Sequence, residues 1–215
     1  SALAEYFSGF ASLGFETGHL PPGQAFALAR DYGMQAEKAM LTATNGINTH
    51  KGLIFALGLV CLSAGRIHQR THAEAFGHEE VCMEVASLAQ GLCARELTAL
   101  EKKNKLSKGE KVYLEYGVSG ARGYAESGYK IIIDVSYPLI RKLLVECGHT
   151  VNDAFVQTLL HLIMHVDDTN ILSRGGIDQL AYARKCVRRV LELGGIFTRE
   201  GAAELVSIDQ DFISK

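Results

Sequence analysis

Only three prolines occur in 215 residues, and the cysteines form no C-x-x-C pair. Apolar runs are short and neither charge dominates. Each shortage excludes something. With proline confined to Pro21, Pro22 and Pro138, long helices run uninterrupted. No segment shows sustained strand alternation between turn signals, and a period near 3.6 dominates. The chain therefore reads as all-α, a single multi-helix domain over residues 1–215. The five cysteines (Cys61, Cys82, Cys93, Cys147 and Cys186) are scattered through apolar helical patterns. That suits packed, reduced thiols in a cytoplasmic protein better than a disulfide framework. The longest apolar run, Leu53 to Ala64, is shorter than the roughly 18 residues a membrane span needs, so it predicts a central buried helix and no membrane partner. With 22 Lys and Arg against 24 Asp and Glu, no basic field exists to hold nucleic acid. No signal peptide, internal repeat or shift in composition is visible. The chain opens at Ser1, already inside a helical pattern, so the expectation is a processed or truncated product.

Helix punctuation is clear. A first helix stops around Gly18, and Pro21 and Pro22 start a second that reaches Thr44. The apolar third helix covers about Lys51 to Gly65. Thr71 to Phe76 suggests a short helical turn, followed by a long helix from about Glu79 to Lys103. Ser107 and Glu110 have capping-box spacing within the solvated patch Glu101 to Lys111. Gly117 ends a short helix begun near Val112. Lys130 to Cys147 reads as apolar helix, kinked or restarted at Pro138. Thr150 caps a helix from Val151 to about Val166, another covers about Ile177 to Leu193, and Thr198 caps the last.

Three polar stretches interrupt these helices: T-N-G-I-N-T-H-K-G from Thr44 to Gly52, G-V-S-G-A-R-G-Y-A-E-S-G from Gly117 to Gly128, and D-D-T-N-I-L-S-R-G-G from Asp167 to Gly176. Each sets glycine beside a cation: Lys51, Arg122 or Arg174. Glycine lets backbone N–H groups approach an anion while the cation neutralises it. The three together predict a polar cleft that binds polyphosphate, built from inter-helix loops. In the first stretch Asn45, Asn48 and Thr49 supply short donors and acceptors, and Lys51 opens a helix whose free N–H groups favour an anion. The competing reading is a plain helix–turn–helix connection with Thr49 as N-cap. Asp167 and Asp168 are hard oxygen donors of the kind magnesium takes, with Thr169 and Asn170 able to add oxygen. The alternative is an acidic connector with Asp168 as N-cap. Asp153 lies about 21 Å from Asp167 along an unbroken helix and cannot share its ion. His161 and His165 share a helix face, but Leu162 stands where a zinc H-E-x-x-H motif has its glutamate, so a packed pair is favoured. Arg184, Lys185, Arg188 and Arg189 read as a solvated basic face.

Taken in order, T-N-G-I-N-T-H-K-G-L-I-F, G-x-x-G-x-R-G-x-A-x-S-G and D-D-T-N-I-L-S-R-G-G resemble the triphosphoribosyl-dephospho-coenzyme A synthase family, over about Thr42 to Gly195. These bacterial enzymes make the prosthetic-group precursor of the acyl carrier proteins of citrate lyase and malonate decarboxylase. The resemblance implies that the 2′-hydroxyl of 3′-dephospho-CoA attacks C1′ of the ATP ribose and adenine leaves. It implies a triphosphate held by Lys51, Arg122, Arg174 and magnesium at Asp167 and Asp168, with Asn45, Asn48, Thr49 and Asn170 contacting substrate. It implies a carboxylate, Glu126 or Asp168, beside the oxocarbenium-like centre, and His50 as general base or acid. Family members also carry P-K-P-G-L-V-D and N-x-G-A-H-x-D-M segments ahead of the region matching Ser1, which this chain lacks. A catalytically incomplete nucleotide-binding fragment and a helical metal-dependent phosphohydrolase are the alternatives. The oligomeric state is open, a homodimer included.

Overall fold

A computed structural model describes residues 3–73, 75–98, 100 and 103–214. No strand occurs among the described residues, so the all-α expectation holds. The chain divides into two compact units, Ser1–Glu101 with Ala121–Lys130, and Lys102–Gly120 with Ile131–Lys215.

The first unit contains α1 (Ala4–Glu16), α2 (Pro22–Ala43), α3 (Lys51–Thr71), α4 (His78–Ala89), α5 (Leu92–Leu97) and α7 (Ala121–Glu126). Pro22 takes the first turn of α2, where its missing N–H costs no helical hydrogen bond. The α3 helix packs against α1, α2, α4 and α7. It is long and apolar enough to cross a membrane by length and composition alone. Its inner face nevertheless carries buried Leu62, Ser63 and Arg66 among its neighbours. On the outer face of its first two turns Leu53 and Leu57 are exposed. At two points of the α1 contact no side chain intervenes: a Cβ on Gly65 would stand 2.0 Å from the Ala11 carbonyl oxygen, and one on Gly14 2.1 Å from that of Leu62.

Two boundaries differ from expectation here. The third helix continues past Gly65 to Thr71 and ends at His72 in left-handed backbone, φ 53°. Residues 72, 73 and 75–77 are not helical, so the expected turn there does not form; Glu74 lies outside the described residues. The predicted long helix breaks at Gln90 and Gly91 into α4 and α5. Its expected tail includes Ala99, Glu101 and Lys102, which also lie outside the described residues. The break passes through Gly91 in left-handed backbone, φ 71°, and a distant carboxylate caps it. Glu126, distant in sequence, accepts from the Gly91 N–H at 2.6 Å and the Cys93 N–H at 3.3 Å. It supplies the acceptor that an interrupted ladder lacks.

The second unit contains α6 (Lys108–Tyr116), α8 (Tyr137–Arg141), α9 (Val151–His165), α10 (Thr169–Glu192) and α11 (Arg199–Ser214). π-helical turns at Ile132–Ser136 and Lys142–Glu146 flank α8, and Pro138 sits in its first turn. Val112, Leu172 and Leu180 form one buried cluster, and Leu160, Val187 and Val190 another. The predicted caps appear: Thr150 Oγ1 accepts from the Asp153 N–H at 3.1 Å, and Thr198 Oγ1 from the Gly201 N–H at 3.0 Å.

Ser107 and Glu110 form a reciprocal capping box. The Glu110 side chain, only 4% exposed, also accepts from Lys103 at 2.7 Å. The Lys103 ammonium, then the Ser107 N–H, hold its carboxyl at about 2, below its ordinary 4.5. A depressed folded-state pKa adds stability above the unfolded value and loses it as pH falls through the folded one. Glu110→Gln should therefore lower stability near neutrality by about 1–3 kcal/mol. It should also flatten the acid limb between pH 4.5 and 2. Thermal melts across that range read both effects; a variant whose acid limb matches wild type would remove Glu110 from acid unfolding.

Candidate functional site

The Thr44–Gly52 stretch folds as a tight turn into α3. Asn45 (φ 52°) and Gly46 (φ 83°) take left-handed backbone in succession, which reverses the chain after α2. Asn48 Oδ1 accepts from the Lys51 N–H at 3.1 Å, so Asn48 satisfies the start of α3. Thr49, the expected cap, instead has its hydroxyl 2.7 Å from His50 Nδ1, and His50 occupies the N-cap backbone position without a side-chain bond. The reason is local geometry: the asparagine, two residues before the N-terminal turn, reaches the free N–H that the threonine hydroxyl leaves for the imidazole. Asn45, Asn48, Thr49, His50 and Lys51 are all exposed.

Lys51 and Arg122 meet at one cavity of about 380 Å³ within the first unit. Its apolar lining includes Phe10 from α1, Phe26 and Met34 from α2, and Phe55 and Leu59 from α3. All its charged lining side chains are in three ion pairs. Lys51 Nζ lies 2.9 Å from Glu37 Oε2, Arg122 Nε lies 2.7 Å from Glu96 Oε2, and Arg30 pairs with Glu96 Oε1. Burial raises the Glu96 carboxyl pKa, but hydrogen bonds from Arg122 and Arg30 more than offset this and hold it below the ordinary range. Glu96 is therefore an ionised clasp for two guanidinium groups.

Arg30, Glu37 and Glu96 were not singled out from the sequence. A signal existed: Phe26, Arg30, Gly33 and Glu37 recur at helical spacing, so α2 turns them to one face. The walls are helix faces; of the first polar stretch only Lys51 and Gly52 line the cavity. Glu126 does not line it. Its oxygens serve the Gly91 and Cys93 amides, and the Cys93 thiol with these amides holds its carboxyl low. The candidate anomeric carboxylate is thus occupied as a structural acceptor.

The second polar stretch is divided between the units at Gly120 and Ala121. Within the second unit, Gly120 packs so closely on Thr169 that a Cβ would come within 2.9 Å of its Cγ2. The third stretch is not a loop beyond its first two residues. Asp168 Oδ1 accepts from the Asn170 N–H at 2.7 Å and the Ile171 N–H at 3.1 Å, and α10 starts at Thr169. Buried Leu172 anchors this extra length, which bends at Gly176 (φ 69°, ψ −166°). Asp167 pairs with Arg184 Nη2 at 2.8 Å, which takes that arginine out of the solvated basic face. Asn170 and Arg174 are exposed on this first part of α10. Among the described residues no three His, Cys, Asp or Glu side chains converge as a metal cage. His165 Nδ1 contacts the His161 carbonyl at 2.8 Å, and burial followed by the His165 charge lowers the His161 pKa.

A family model described as ATP:dephospho-CoA triphosphoribosyl transferase matches residues 1–215. A 2-(5''-triphosphoribosyl)-3'-dephosphocoenzyme-A synthase of Klebsiella pneumoniae is 37% identical over 215 residues, covering 100% of this chain and 70% of the relative. A probable synthase of the same name from Salmonella gallinarum is 38% identical over 213 residues, 99% of this chain and 69% of the relative. One from Pectobacterium atrosepticum is 35% identical over 214 residues, 100% of this chain and 68% of the relative. No solved structure matches the chain.

Proposed function

Since the chain belongs to the ATP:dephospho-CoA triphosphoribosyl transferase family, we propose that it moves the 5-triphosphoribosyl group of ATP to the 2′-hydroxyl of 3′-dephospho-CoA and releases adenine. The observation that carries the reading beyond the family match is the convergence of Lys51 and Arg122 on one cavity with an apolar interior. Cations at the rim of an apolar chamber suit a ligand that is anionic at one end and flat and uncharged at the other.

Lys51 and Arg122 grip the triphosphate. Their carboxylate partners are good hydrogen-bond acceptors, and phosphate oxygens replace them in kind. His50 keeps Nε2 clear while Thr49 holds Nδ1, which orients the ring for proton transfer. Asp167 and the second oxygen of Asp168 fit magnesium by donor chemistry, since this ion takes one or two carboxylates and leaves the remainder to water and phosphate. Magnesium held there would supply positive charge to a bound phosphate group. Asn45, Asn48, Asn170 and Arg174 are exposed polar groups suited to substrate contact. None of the five cysteines is in a disulfide, which supports a cytoplasmic location.

Incubation with ATP, magnesium and 3′-dephospho-CoA should release one adenine per product formed. Phosphate or pyrophosphate in its place, or unchanged ATP, overturns the transferase reading. In the same assay Lys51→Gln should raise the ATP KM by about tenfold or more, as for loss of a charge-assisted contact. Asp167→Asn with Asp168→Asn keeps the α10 cap and removes both charges. Undiminished turnover in that pair at limiting magnesium would remove these carboxylates from the metal role.

A further inference from the structure

The cavity has two parts that ask for different ligand chemistry. The rim holds three cations, Arg30, Lys51 and Arg122, against two carboxylates, Glu37 and Glu96. The interior is aromatic and aliphatic. A polyphosphate alone has no use for such a chamber, and an apolar ligand alone has no use for the cations. The volume falls within the range of small-molecule sites. We infer that this cavity is an adenine-nucleotide seat, with the base among Phe10, Phe26 and Phe55 and the phosphates on Arg30, Lys51 and Arg122 after exchange with Glu37 and Glu96. The inference rests on the transferase reading and extends it. It adds Arg30 as a phosphate cation, gives Glu37 and Glu96 the role of exchangeable counter-ions, and locates the base.

The exchange is electrostatically balanced. Each rim cation already has an anionic partner, so none is left uncompensated in a partly apolar setting. An entering phosphate displaces carboxylate from cation, and the freed carboxylates turn to water. Glu96 matters most, because its one side chain releases two guanidinium groups at once.

Gly33 provides a probe that leaves these charges alone. It lines the chamber from α2, and a Cβ there meets only the Phe10 ring edge, at an ordinary 3.6 Å. Gly33→Leu fills the chamber, and leucine favours a helix over glycine. In titration calorimetry, Gly33→Leu should weaken ATP, 3′-dephospho-CoA or both by about tenfold or more while leaving inorganic tripolyphosphate unchanged. The two nucleotide titrations show which substrate uses the seat. Arg30→Gln should weaken that nucleotide and tripolyphosphate alike. On the wild-type chain, adenosine and tripolyphosphate should each compete with the nucleotide but not with one another. The proposal is overturned if Gly33→Leu leaves both nucleotides at wild-type affinity, if it weakens tripolyphosphate equally, or if adenosine fails to compete. Failure of the transferase reading looks different: no adenine appears, whatever the binding data show.

Discussion

A Gly65→Ala substitution should cost the protein about 3 kcal/mol or more, the upper end for overpacking, although it adds one methyl group. In an isolated helix the same change would gain about 1 kcal/mol, because alanine forms helix better than glycine. The sign reverses because of what the methyl meets. Its carbon would lie 2.0 Å from the Ala11 carbonyl oxygen and 2.8 Å from the Phe15 nitrogen, both backbone atoms that cannot turn aside. Gly14 faces Leu62 in the same manner, so α1 and α3 touch main chain to main chain at two points. Relief requires α1 to move away, and α1 carries Phe10 into the cavity. Urea denaturation of Gly65→Ala should show a lower midpoint, with nucleotide affinity falling in parallel. An unfolding free energy within about 0.5 kcal/mol of wild type would mean that the two helices are not in backbone contact.

Arg66→Met should cost about 2–4 kcal/mol, the loss of a charge-assisted contact to Glu84 together with a buried carbonyl left without its donor. The Arg66 side chain is 1% exposed and its guanidinium serves three acceptors on two segments. Nε donates to Glu84 at 2.6 Å, Nη2 to the Leu20 carbonyl at 3.0 Å, and Nη1 to the Thr17 carbonyl. Methionine fills similar volume but leaves the Leu20 carbonyl without a donor, while the Thr17 carbonyl keeps only the Leu20 N–H at 3.0 Å. Glu84 retains Arg70 at 2.6 Å, so the carboxylate is not stranded. The double variant Arg66→Met/Glu84→Gln should therefore cost less than the sum of the single variants, with the difference measuring the coupling. Strict additivity in chemical denaturation would assign the whole effect of Arg66 to its carbonyl contacts.

What was legible in the sequence was local. Pro22, Ser107 with Glu110, Thr150 and Thr198 mark helix starts because their chemistry acts within one turn, and the structure uses each as expected. Lys51 and Arg122 stood out for the same reason, as cations beside glycine. The misreadings are tertiary. Gly91 could end a helix locally, but nothing near it announces that Glu126 will accept its N–H. Asp168 was open to two readings, and burial of Leu172 against Val112 favours the capping one. Arg30 and Glu96 look like solvent-facing residues of α2 and α5 until folding places both beside Arg122. Their role comes from three elements meeting, which periodicity within one element does not encode.

The first unit is drawn from two separated stretches, and this sets an order in time. During synthesis from the N-terminus, α1 to α5 emerge before α7 exists. Until then the Gly91 and Cys93 amides lack the Glu126 carboxylate, and Glu96 has only one of its two arginines. About 30 further residues must be made first, a delay on the order of seconds at roughly 5–20 residues per second. Closing so modest a loop adds little entropic cost. The nascent cavity is therefore finished late, by a segment that arrives only after α6 has been synthesised.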